Sequence, residues 1–126
     1  MKRILFFILT IFSFHAAAEI DISKTVHCTY QKGQALTDKE SENIVNSVPL
    51  KWTFNALLTD NPMYVSGGDT GNVFAVTITQ GVGVYLPDNS GTHSFTLFNS
   101  GKSFWNKQMG ILNMISSQQY IGTCTN

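Results

Sequence analysis

The chain reads as an all-β protein: a small antiparallel meander of about seven or eight strands, closed as a barrel or folded over as a sandwich. Three features predict this. Short segments rich in β-branched and aromatic residues recur with period-two alternation, and clusters of Gly, Asn, Asp and Ser separate them at close intervals. The chain also carries just two cysteines, Cys28 and Cys124, which bracket nearly all of it beyond the leader. Closely spaced turns favour consecutive hairpins, and closing or folding the meander protects its edge strands.

The N-terminus comes first. Met1-Lys2-Arg3 sets two positive charges before an apolar run from Ile4 to Phe14, and Ala16-Ala17-Ala18 follows as a small-residue cleavage site. This is the pattern of a secretion signal over residues 1–18, with cleavage near Ala18; the run is shorter than the ~20 apolar residues a membrane span needs. One β domain over residues 19–126 is then expected, exported to the periplasm or the extracellular space and not inserted in a membrane. An oxidising compartment makes a Cys28–Cys124 disulfide the economical use of the two cysteines, and that bond would fix the first strand beside the last.

Along the domain, Val26-His27-Cys28-Thr29-Tyr30 puts Val26, Cys28 and Tyr30 on one face. Residues 37–45 begin with Thr37, a residue suited to a helix N-cap, and are acidic early, which fits a short helix or a solvated loop. Leu50, Trp52, Phe54, Ala56 and Leu58 share a face against Lys51, Thr53 and Asn55; Met63 to Ser66 is a weaker strand, and residues 66–72 read as a long glycine-rich hairpin loop. Phe74, Val76 and Ile78 alternate with Ala75, Thr77 and Thr79 in the clearest half-buried strand pattern of the chain. Val82 to Leu86, Thr92 to Phe98, Ser103 to Gln108 and Gln119 to Thr125 follow, with turns at residues 87–91 and 99–102; residues 109–115 have some helical spacing.

Charge excludes some function classes. Beyond residue 18 the chain has Lys at 24, 32, 39, 51, 102 and 107, no Arg and more acids than bases. Scattered lysines without arginine are neither a nucleic-acid footprint nor a polybasic membrane patch. Nothing in the sequence has the spacing of a metal site or a cofactor loop: the histidines fit no zinc pattern, residues 66–72 lack the lysine of a phosphate loop, and no calcium-loop order is present. Asp88, His93 and Ser94 are close along the chain, but neighbours on a strand face opposite ways and no nucleophile elbow exists. Adjacent Phe104 and Trp105 cannot both face inward, which makes Trp105 and its neighbour Lys107 candidate partner contacts.

Ser90-Gly91-Thr92-His93, then Phe104-Trp105-Asn106-Lys107, together with His27-Cys28-Thr29-Tyr30 and the late Cys124, resemble the periplasmic C-type lysozyme inhibitors. The resemblance covers the C-terminal third and the cysteine placement. It implies a small exported β-barrel that blocks the lysozyme cleft with a serine from a Ser-Gly loop and a lysine following a tryptophan, roles that fall on Ser90 and Lys107. His93-Ser94 stands where the family continues with Arg-Tyr, and Gly110 comes later after Lys107 than the family's Trp-x-Lys-Gly would have it. The function expected is therefore non-catalytic binding, with a lysozyme-like enzyme as the sharpest partner. Alternatives are a small apolar ligand in a cavity lined by Trp52, Phe74 and Phe95, or a small secreted hydrolase.

Overall fold

The computed structural model describes residues 19–88, 91–112 and 114–126; the leader expected over residues 1–18 and the candidate contact Ser90 lie outside the described residues. The strands are β1 (Val26–Thr37), β2 (Ser41–Asn55), β3 (Met63–Ser66), β4 (Asp69–Asn72), β5 (Phe74–Ile78), β6 (Gly81–Asp88), β7 (Gly91–Phe98), β8 (Lys102–Ile111) and β9 (Met114–Thr125). They form one nine-stranded antiparallel sheet in the order β4-β3-β2-β1-β9-β8-β7-β6-β5, curled into a nearly closed barrel. A barrel, not a sandwich, is the outcome. Chain order and sheet order depart from each other at two points. β1 pairs with β9, and β4 and β5, joined through Val73 alone, lie at the two opposite edges of the sheet.

The β1–β9 junction closes on the disulfide. Cys28 lies directly opposite Cys124 in the ladder, with the two Cα atoms 4.0 Å apart across a sequence separation of 96. The Cys124 N–H donates to the Gly101 carbonyl at 2.7 Å, on the far side from β1. That leaves Cys28 and Cys124 as a pair without ladder hydrogen bonds, where facing side chains approach most closely. In the chain-entropy model a loop of this length destabilises the unfolded chain by about 4 to 5 kcal/mol.

Two tyrosines reinforce the same junction. Tyr30 pairs with Gly122 and Tyr120 with Gly33 across the ladder. A Cβ at Gly122 would run into the Tyr30 ring and the Thr29 carbonyl oxygen, and one at Gly33 would come within 2.8 Å of the Tyr120 ring. Each glycine thus makes room for the aromatic ring opposite. Between the two pairs Gln31 forms a bulge, and on β2 the partners of Tyr30 and Lys32 are Leu50 and Val45, so residues 46–49 bow outward opposite Gln31.

Inside, the rings pack on one another: Trp52 to Phe95 at 4.8 Å, Phe54 to Phe95 at 4.9 Å, Trp105 to Tyr120 at 4.7 Å between centroids. Tyr30 and Ser103 are fully buried and share a hydrogen bond of 2.6 Å. Burial raises the Tyr30 phenol far above its ordinary value despite that bond. One end of the barrel is corked by the segment before β1, where Ile20 joins the core and its N–H donates to the Asn99 carbonyl at 2.9 Å. The Asn126 side chain accepts from the Asp21 N–H at 2.6 Å and donates to the Asp21 and Thr25 carbonyls at 2.8 and 3.1 Å.

Several expectations change. Among the described residues nine strands form in place of about seven or eight, because the glycine-rich stretch is a tight turn at Gly67-Gly68 followed by the extra strand β4; β1 and β2 also run on past the expected segments. Residues 37–45 form no helix; Thr37 ends β1 and Ser41 starts β2. Of the stretch expected to have helical spacing, residues 109–111 belong to β8 and residues 114 and 115 to β9, with Leu112 at positive φ. Ala56, at φ 56°, breaks the alternation after Asn55, so Leu57 and not Leu58 is buried. The largest change is in β5. Phe74, Val76 and Ile78 are exposed, because Val73 takes the inward place at the step between the edges. Phe74 therefore lines no cavity with Trp52 and Phe95.

The Tyr30–Ser103 pair gives a direct test. Ser103→Ala strands a buried phenol and is expected to cost about 1 to 3 kcal/mol in urea unfolding with the disulfide intact. The double variant Tyr30→Phe with Ser103→Ala is expected to cost less than the sum of the single changes, and strict additivity would contradict the coupling.

Candidate functional site

The barrel is open at the end away from Ile20, and a local gap in the ladder shapes that opening. β5 reaches only as far as the Phe74–Tyr85 pair, so Leu86, Pro87 and Asp88 of β6 have no strand on that side. Pro87 has no N–H to leave unpaired there. The gap is a cleft of about 450 Å³ walled by Trp52, Tyr64, Ser66 and Asp69 on one side and by Leu86, Pro87, Asp88 and His93 on the other. Trp52 forms its aromatic floor, with centroids 5.4 Å from both Tyr64 and His93.

His93 is the centre of the polar side. It follows the alternation that buries Phe95 and Leu97, so its ring points inward at the end of the core. Trp105, two strand positions from Lys107, donates its indole N–H to His93 Nδ1 at 3.1 Å. That bond fixes the tautomer: Nδ1 accepts, so the proton sits on Nε2, which faces Asp88 Oδ2 at 3.4 Å. Burial holds the imidazole below its ordinary value; the hydrogen bond to Asp88 opposes this, the positive charge of Lys107 adds to it, and the Asp88 charge opposes it. The neutral ring is also what the indole requires, since an imidazolium would set N–H against N–H.

Lys107 lies on the inward-facing row of β8 after Ser103 and Trp105, opposite His93 on β7 and Gln118 on β9. It is partly buried and makes no salt bridge among the described residues. Gln118 in turn accepts from the Tyr120 hydroxyl at 3.3 Å. Gly91, the residue after Ser90, pairs with Met109, two positions beyond Lys107. Of the adjacent aromatics, Trp105 is 4 % exposed and Phe104 46 %. Trp105 is thus a core residue that positions His93, and Phe104 is the ring that stands on the outer face.

The hydrolase constellation is half assembled. Asp88 and His93 meet, while Ser94 is on the opposite face of β7 and Ser66, in the same cleft, donates to the Lys51 carbonyl at 3.1 Å. Sequence reasoning missed the Trp105–His93 bond because their separation of a dozen residues carries no signal; only the β7–β8 register makes them diagonal neighbours. Among the described residues no cluster of three or more His, Cys, Asp or Glu side chains could hold a metal ion. A second hollow of about 1080 Å³ lies on the outer surface, where Val45 and Pro49 at the β2 bulge overhang Thr29, Phe104 and Ile121.

Comparison of the chain with protein-family models, curated proteins and solved structures found no match.

The neutral His93 makes stability fall on acidification. Its folded-state pKa lies below the ordinary value, so as pH drops through the ordinary histidine range, near 6.5, the unfolded chain takes up a proton that the fold rejects. Stability is expected to be full above that range and to decline from about pH 7 toward pH 5.5, together with a change in tryptophan fluorescence. His93→Gln, which keeps an acceptor for Trp105 but does not titrate, is expected to flatten that decline; an identical decline in the variant would refute the assignment.

Proposed function

We propose that this chain is an exported binding protein that docks on a partner protein through the open end of its barrel and catalyses no reaction. The observation that carries this reading is the state of His93. Nδ1 is occupied by the Trp105 indole and Nε2 points its proton at Asp88, so the imidazole holds its neighbours in place and has no free lone pair with which to deprotonate a serine or a water. What it organises is a rigid rim with an aromatic floor, carboxylates at Asp69 and Asp88 on the cleft, and the Lys107 amine close by. Side chains fixed on strands in advance lose little freedom on docking, which favours binding.

Export is supported by the residue 1–18 pattern and by the Cys28–Cys124 bond, which is at home in an oxidising space. No helix among the described residues is long and apolar enough to cross a membrane. The Trp105-Asn106-Lys107 resemblance gives the partner its sharpest form, a lysozyme-like enzyme whose cleft receives Lys107.

Purified protein beginning at Glu19 is expected to slow the lysis of cell walls by lysozyme at micromolar concentration. Lys107→Ala and Ser90→Ala are each expected to weaken this by about tenfold or more. No inhibition at micromolar protein would remove the lysozyme version, and full inhibition by Lys107→Ala would remove the open end as the contact.

A further inference from the structure

The two free edges of the sheet are built differently. β4, at one edge, is the four-residue strand Asp69–Asn72, with a carboxylate, a glycine and an asparagine. Short, charged and glycine-bearing edges resist pairing with another chain. β5, at the other, is Phe-Ala-Val-Thr-Ile without a charge or a proline. Among the described residues β5 pairs only with β6, so its outer edge presents unpaired backbone N–H and C=O groups. Its side chains are uncovered as well: Phe74 is 68 %, Val76 55 % and Ile78 40 % exposed, and Tyr85, opposite Phe74 on β6, is 49 % exposed. The barrel's own core makes no use of this row.

An open hydrogen-bonding edge is completed by a strand, and the residues of β5 identify which strand. Antiparallel pairing of β5 with itself about Val76 sets Phe74 against the partner's Ile78, Ala75 against the partner's Thr77 and Val76 against the partner's Val76. Aromatic against β-branched and β-branched against β-branched are favourable cross-strand pairs, and no like charges meet at the two-fold axis. We infer that β5 is the seam of a two-fold homodimer, in which a second copy of this chain adds its own β5 to the sheet and the Phe74, Val76, Ile78 and Tyr85 rows of the two copies lie side by side as one apolar strip. This goes beyond the binding role of the open end. β6 and β7 separate β5 from Lys107 on β8, so failure of either proposal leaves the other standing.

Sedimentation velocity on purified protein beginning at Glu19, over about 1 to 300 µM, is expected to show a monomer passing to a dimer with a dissociation constant on the order of 10 µM, as suits a small interface. Val76→Lys places two ammonium groups face to face and is expected to weaken the dimer about a hundredfold or more. Because Val76 is exposed, its circular dichroism and thermal midpoint should match the parent protein; Ile78→Lys serves if they do not. Amide exchange of residues 74–78 in the unmodified protein is expected to slow as concentration rises. A monomer throughout the range, a dimer indifferent to both lysine variants, or exchange at residues 74–78 independent of concentration would each overturn the inference.

Discussion

Everything in this molecule hangs on the pairing of the first strand with the last. Without it the nine strands would lie as open ribbons of hairpins, and an open ribbon of this size would bury little on either face. Joining β1 to β9 turns the ribbon on itself and gives the aromatic rings an inside. The disulfide holds that join from one position, and the two tyrosine–glycine pairs hold it from the positions that follow. The join is also the most costly in chain entropy, since it brings together segments 96 residues apart. A covalent bond is placed where closure is otherwise least favourable.

Closure at β1–β9 moves the defect elsewhere. The step from β4 to β5 through Val73 sends the chain from one edge to the other without a ladder between them. Two consequences lie on that seam. Its upper part is the cleft beside Pro87, Asp88 and His93, and its lower part is the bare edge of β5. A fully closed barrel would have neither, so the cleft and the bare edge derive from the same imperfection.

His93 shows how a residue suited to catalysis can be given structural work. Its environment takes up both nitrogens and disfavours its charge. The ring then transmits position from the core, through Trp105, to the carboxylate at the rim. A buried indole N–H needs an acceptor in any case, and meeting that need with a histidine couples the packing of the interior to the polar edge of the cleft.

The period-two alternation, the turn clusters and the cysteine placement determined the all-β class, most strand positions and the bond between the ends, because each is a local rule or a bond between two unique residues. They did not determine which face of a strand looks inward. β5 carries the plainest alternation in the chain, yet alternation defines two faces without choosing between them, and Val73 reversed the choice. The same limit applies to Trp105 and Phe104, where the pattern required one ring in and one out and the β8 register decided which. The Trp105–His93–Asp88 chain and the cleft beside it belong to the tertiary structure alone, since they arise from strand register and from the place where one strand stops short of its neighbour.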